Sequence, residues 1–144
     1  MQTFGTIDPD VMYVPRPGGY AVVVNEHKIA VVRTPRGYFL PGGGADPGES
    51  LAEAAIRETK EETGLIIEVT AEIGTADEYV HSPKYDEYFQ KICTFFAARL
   101  VSLGSAQEAD HELIWTPASD AASLLTHGSQ RWAVAELLNT GEIP

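Results

Sequence analysis

Three glutamates, Glu58, Glu61 and Glu62, stand at i, i+3 and i+4 in the stretch GGGADPGESLAEAAIRETKEETGL, residues 42–65. On a helix of about 3.6 residues per turn, that spacing places the carboxylates within an arc of about 100° on one face, where like charges repel. A positive group over the cluster removes the repulsion, and oxygen donors alone select a hard cation such as magnesium or manganese. Taken by themselves the same acids also read as a solvated helix face, because charge runs are common on helices.

The chain around the acids supplies the means to position them. Ser50 is a good helix N-cap, and Glu53 three residues on completes a capping box, so the spacing predicts a helix from Leu51. Thr63-Gly64 ends it, glycine being the residue that takes a left-handed C-terminal conformation without penalty. Gly42-Gly43-Gly44 allows the backbone to approach a ligand closely; as a glycine cluster alone it reads as a turn, and no Gly-Lys-Ser or Gly-Lys-Thr follows to make it a P-loop.

Gly43, five residues, Glu49, seven residues, Arg57-Glu58, two residues, Glu61-Glu62, one residue and Gly64-Leu65 together resemble the signature of the Nudix hydrolases. Thr59 is the one departure, at a position where that family usually has an aliphatic residue. The resemblance implies an α/β (α+β) fold, an α/β/α sandwich around a mixed sheet. It implies that the Gly43 carbonyl joins Glu58, Glu61 and Glu62 in holding one to three magnesium ions, with manganese an alternative. Arg57 and Glu49 would form an ion pair fixing the glycine loop against the helix. The reaction implied is hydrolysis of a diphosphate within a nucleoside diphosphate linked to another group, and the partner is that small molecule. The general base varies in this family: Glu58 is the candidate within the helix, and Glu108, Asp110 and Glu112 are the candidates downstream. Dimers are common among such proteins, so a homodimer is compatible with the resemblance. The rival reading is a noncatalytic module of the same fold that binds or senses a nucleotide, although such modules usually lose the acids that this chain keeps.

Further candidates lie outside that stretch. Arg33 and Arg36 precede the glycine loop and could clamp phosphates, while arginine at a strand end is more often solvated or salt-bridged. Tyr79, Tyr85 and Tyr88 could stack on a base or merely seal a sheet edge. The histidines at 27, 81, 111 and 127 have no paired ligand spacing, which argues against zinc. Pro83, Tyr79 and Tyr85 only approximately match the positions that mark substrate subfamilies, so no substrate is assigned.

The net charge of −11 over 144 residues argues against a nucleic acid polymer as partner, since such binding needs a basic surface. A polyanionic substrate would require bound cations to offset that charge. Cys93, the one cysteine, sits in an apolar run and reads as a small buried hydrophobe. No basic leader followed by an apolar core opens the chain, and no apolar run approaches the length of a membrane span, giving the expectation of a cytoplasmic protein without membrane contact.

Residues 1–17 are expected to form an N-terminal arm with a short strand at Val11 to Val14, followed by a single domain over 18–144. Strands are expected at Gly19 to Asn25, Lys28 to Arg33 and Tyr38 to Leu40. After the helix come Ile66 to Ile73, Thr75 to Val80, a loop at 81–87, a long central strand from Tyr88 to Val101, a loop at 102–110, and a strand from His111 to Thr116. Thr116-Pro117 is expected to cap a short helix reaching about Leu125, and Ser129 to Leu138 a last helix with Val134, Leu137 and Leu138 turned inward.

Overall fold

The computed structural model describes residues 1–83, 85–106 and 108–141. Lys84 and Gln107, inside the two expected loops, and residues 142–144 of the expected domain lie outside the described residues. The order of elements is β1 (Gln2–Phe4), β2 (Val14–Asn25), β3 (Lys28–Thr34), β4 (Gly37–Phe39), β5 (Gly42–Gly44), α1 (Leu51–Thr63), β6 (Leu65–Ser82), β7 (Glu87–Leu103), β8 (Glu112–Pro117), α2 (Ala118–Leu124) and α3 (Gly128–Asn139). The strands form one mixed sheet in the order β1-β6-β7-β2-β3-β4, with β5 added on β2 and β8 on β3.

Alternation along the inner strands divides the core into two layers. Tyr20 and Val22 of β2, Ile29 and Val31 of β3, and Cys93 and Phe95 of β7 pack with Ala118, Ala121, Val134 and Leu137 of α2 and α3. Their neighbours Ala21, Val23, Ala30, Phe96 and Ala98 pack with Leu51, Ala55 and Ile56 of α1. The expected sandwich is therefore present, with α1 on one face of the sheet and α2 and α3 on the other. Cys93 is a free buried thiol, and burial pushes its pKa up to about 12.

α1 forms where its local signals place it. The Ser50 hydroxyl accepts the Glu53 amide at 3.1 Å, the Glu53 carboxylate accepts the Ser50 amide at 3.0 Å, and Gly64 at φ 79° donates to the Lys60 carbonyl at 2.9 Å. The helix lies close on the sheet because Gly19 has no side chain: a Cβ there would stand 1.9 Å from the Leu51 carbonyl oxygen.

The strands depart from the expectation in five places, the first being Gly42 to Gly44, which reads as a turn and pairs with β2 as strand β5. Residues 2–4 pair in parallel with Ala76 to Glu78 of β6, an element with no sequence pattern to announce it. Of the expected strand at Val11 to Val14 only Val14 is extended into a ladder; there it begins β2, whose parallel pairing with β7 continues from Val14↔Phe89 to Val24↔Arg99. The two strands expected at Ile66 to Ile73 and Thr75 to Val80 are one, carried through Gly74 by irregularities at Val69/Ala71 and Glu72/Gly74 in its pairing with β7. Thr116 is a buried strand residue instead of a cap; the cap position of α2 falls on Pro117, and no side chain bonds it.

Thr59, the departure from the family pattern, is fully buried on α1, and its Oγ1 has no hydrogen-bond partner among the described residues. An unsatisfied buried hydroxyl costs about 1–3 kcal/mol. Thr59→Val keeps the shape and removes that cost, so thermal unfolding of the variant should show a midpoint higher by about 3 °C, corresponding to roughly 1 kcal/mol. A lower midpoint would mean that the hydroxyl has a partner worth more than the apolar replacement.

Candidate active site

Arg57, near the middle of α1, ties the acidic face of the helix to the glycine loop. Its Nε and Nη2 bind the two oxygens of Glu49 at 2.8 and 2.9 Å in a fork, the geometry in which guanidinium and carboxylate pair best. Nη1 donates to Glu58 at 2.9 Å and to both oxygens of Glu61 at 3.3 Å, while Nη2 also donates to the Gly44 carbonyl at 3.0 Å. The hydrogen bonds from Arg57, helped by the Asp46 amide, hold the Glu49 carboxyl down to about 2. One cation thus orients three acids and the backbone beside them.

Gly43 pairs with Gly19 across β5 and β2, and a Cβ on it would lie 2.8 Å from the Glu58 carboxyl carbon. The bare backbone lets the glycine strand and the helical carboxylates approach each other, as a shared ligand would require. Glu62 is buried against the same loop and accepts the Gly42 amide at 2.9 Å. Burial, reinforced by the charges of Glu58, Glu108 and Glu61 and opposed by that amide, raises its pKa to about 8. Burial also raises the Glu58 carboxyl, against the pull of Arg57.

The loop before β8 completes the cluster. Ligand oxygens of Glu58, Glu61 and Glu108 all lie within 4.8 Å of one another, and so do ligand atoms of Glu62, Glu108 and His111. His111 Nε2 stands 3.1 Å from Glu108 and 3.5 Å from Glu62, and its Nδ1 is 2.8 Å from Asp110. Four carboxylates with a single arginine among them are short of positive charge. A hard divalent cation matches this donor set of carboxylate oxygens and one imidazole, with the Gly43 backbone alongside.

The structure separates the other candidates. Glu112 is turned to Arg33, its register partner across β8 and β3, and the two form an exposed salt bridge instead of joining the acids. Tyr79 and Tyr88 pack edge-on against Tyr13 at 4.9 and 5.7 Å between ring centres, and Tyr88 also stacks on His81. Neither they nor Arg33 line the cleft of about 810 Å³ that Glu62 and His111 border. Arg36 and Tyr85 do line it, with Glu62, His111 and Gly42 to Gly44 along one side.

Several cleft residues were invisible to the motif. His111 is brought to Glu62 by the pairing of β8 with β3, and its spacing of three from Glu108 was the only local hint. Arg16, Lys91, His127 and Gln130 also line the cleft. For Lys91 a signal existed: it shares a strand face with Phe89, Cys93 and Phe95, where a charge is out of place.

A family model described as NUDIX domain matches residues 12–138. A putative 8-oxo-dGTP diphosphatase of Bacillus subtilis (strain 168) is 46% identical over 61 residues, 40% of each chain. An ADP-ribose pyrophosphatase of Methanocaldococcus jannaschii is 38% identical over 58 residues, 37% of this chain and 34% of that one. The chain thus matches well under half the length of these two relatives. Among solved structures, a NUDIX hydrolase from Nitrosomonas europaea superposes with a TM-score of 0.72 at 19% identity, covering 91% of this chain and 93% of the other, a likeness of fold. A MutT NUDIX hydrolase from Burkholderia pseudomallei gives 0.68 at 26% identity, covering 86% and 98%.

Proposed function

The chain belongs to the NUDIX family, and from that premise we propose that it is a divalent-metal-dependent hydrolase cutting a diphosphate bond in a small nucleotide-type molecule. The observation that carries the reading is the convergence of Glu58, Glu61, Glu62 and Glu108 beside Gly43, held in place by Arg57. A magnesium or manganese ion bound there would neutralise diphosphate oxygens and acidify a coordinated water. Glu58, Glu61, Glu62 and the Gly43 carbonyl are the residues proposed to hold it, with Glu108 and His111 close enough to contribute.

Each residue then has a task of its own. Arg57 keeps the carboxylates of Glu58 and Glu61 at one edge of the helix and anchors them through Glu49 to the loop, so the site is organised before anything binds. Glu58 is the proposed acceptor of the water's proton, its carboxyl poised upward by burial. Glu108 is the second candidate for that task because it reaches the cluster, as Glu112 does not. The relatives named for 8-oxo-dGTP and ADP-ribose support a substrate class in which a nucleoside diphosphate is linked to a further group.

The test is hydrolysis in magnesium of a panel comprising nucleoside triphosphates, ADP-ribose, nucleotide sugars and dinucleoside polyphosphates. Turnover of at least one is expected, ceasing when EDTA is added. Tight binding of one compound with turnover of none would instead establish the noncatalytic module. On the compound turned over, Glu108→Gln should lower kcat by about 10- to 100-fold and Glu112→Gln by less than about twofold, a contrast read from initial rates. Equal losses in the two variants would remove Glu108 from the site.

A further inference from the structure

The chain has 21 acidic residues against 10 lysines and arginines. Three of those cations line the cleft, Arg16, Arg36 and Lys91, and among the described residues none of them forms a salt bridge with a carboxylate. Arg33, Arg57 and Arg99 do, while Lys28, Lys60 and Arg131, also outside the cleft, form none among the described residues, so what marks the three is their collection in one cleft. In so acidic a protein, three cations collected in one cleft without acid partners require a cause.

Arg16 and Lys91 are register partners on the parallel strands β2 and β7, so their backbones are about 5 Å apart and their side chains stand on the same face. Like charges in that relation destabilise a sheet. Arg16 lies 4.2 Å over the Phe89 ring, a contact that offsets part of this repulsion but adds no negative charge. Lys91 is half-buried, and burial, with Arg36 and Arg16 nearby, lowers its pKa. Glu78 is opposite Lys91 on β6, yet it is buried and one of its oxygens accepts the Ser129 amide at 2.9 Å, at the start of α3. The acid opposite Lys91 in the ladder is therefore engaged at the start of a helix.

We infer that Arg16, Arg36 and Lys91 form a phosphate-binding subsite separate from the acid cluster, so that the molecule hydrolysed carries a phosphate beyond the diphosphate held over α1. Two guanidinium groups and an ammonium supply the forked and point donors that phosphate oxygens accept. The cleft is within the size range of ordinary ligand pockets and has room for a nucleotide-sized group. As a substrate subsite this rests on the hydrolase reading; as an anion site it stands alone.

The experiment is titration of metal-free, ¹⁵N-labelled protein in EDTA with inorganic phosphate at constant ionic strength, followed by amide shifts. Without metal the acid cluster repels anions, so only the cationic subsite responds. Saturable shifts at Arg16 and Lys91 are expected, with acetate giving no saturable shift. Lys91→Met should weaken the phosphate affinity by at least about tenfold and Lys28→Met, at an exposed position on β3, by less than about twofold. The same spectra report whether Lys91→Met is folded, and Arg16→Gln supplies a second variant at an exposed position with the same expected weakening. Absence of saturation in the unmodified protein, or affinity unchanged in both Lys91→Met and Arg16→Gln, would overturn the subsite. Phosphate binding without turnover in magnesium would keep the subsite and reject the hydrolase; turnover without phosphate binding would do the reverse.

Discussion

Glu61→Gln and Glu62→Gln should each abolish magnesium-dependent hydrolysis, by at least about 10³-fold in kcat/KM, while leaving the fold intact. The magnitude follows from removing one anionic ligand and with it several kcal/mol of charge stabilisation developed in the reaction. The fold survives because neither carboxylate charge holds it together. Glu62 meets the backbone through one accepted hydrogen bond from Gly42, which the amide oxygen of glutamine also accepts. Among the described residues Glu61 hydrogen-bonds only to Arg57, which keeps Glu49 and Glu58. Rates and circular dichroism of the two variants beside the unmodified protein decide the matter: full activity in either variant would sink its assignment as a ligand.

The second large effect is on stability in the absence of metal. Glu62 has a folded-state pKa of about 8 against an ordinary value of 4.5, so the folded chain keeps a proton that the unfolded chain releases. Its contribution is fully present below about pH 4.5 and is lost as pH rises through 8. At about 1.4 kcal/mol per pKa unit, and with neighbouring acids sharing the titration, the fall in unfolding free energy is on the order of 3 kcal/mol. Denaturant unfolding in EDTA should show this decline between pH 5 and 8. Glu62→Gln should flatten it, and saturating magnesium at pH 8 should restore stability by binding the folded chain alone. A flat profile for the unmodified protein would show that the carboxyl is already ionised at pH 5.

The two effects share a source, since an acidic cluster that costs the empty protein stability is what makes a cation bind. The retention of Glu62 at a position where glutamine would be more comfortable is the sense in which stability is given up for chemistry at such sites.

The helix and its acids were legible because their causes are local. A capping box spans four residues, the terminal glycine acts on its own dihedrals, and a spacing of three and four is a property of any helix. What escaped the sequence was decided by partners far along the chain. Arg33 reads either as a phosphate clamp or as a solvated or salt-bridged strand end until the β3–β8 register sets Glu112 opposite it. Tyr79 and Tyr88 read either as base-stacking residues or as seals of a sheet edge until Tyr13, more than sixty residues earlier, packs against both. β1 is three residues whose extension depends on an edge of β6 being available, and β6 reads as two strands because glycine is an ordinary strand breaker when no neighbour absorbs the bulge. His111 belongs with the first group in composition and with the second in cause: histidine is a common ligand type, but only the ladder brings it to Glu62.

The parallel pairing of β2 with β7 has a consequence in time. Every partnered residue in that ladder is 75 positions from its mate, from Val14↔Phe89 to Val24↔Arg99. Closing so long a loop before any reward from contact places folding toward the slow end for a chain of this size. During synthesis the apolar run Ala21 to Val24 must wait, without that neighbour, until the second half of the chain has been made.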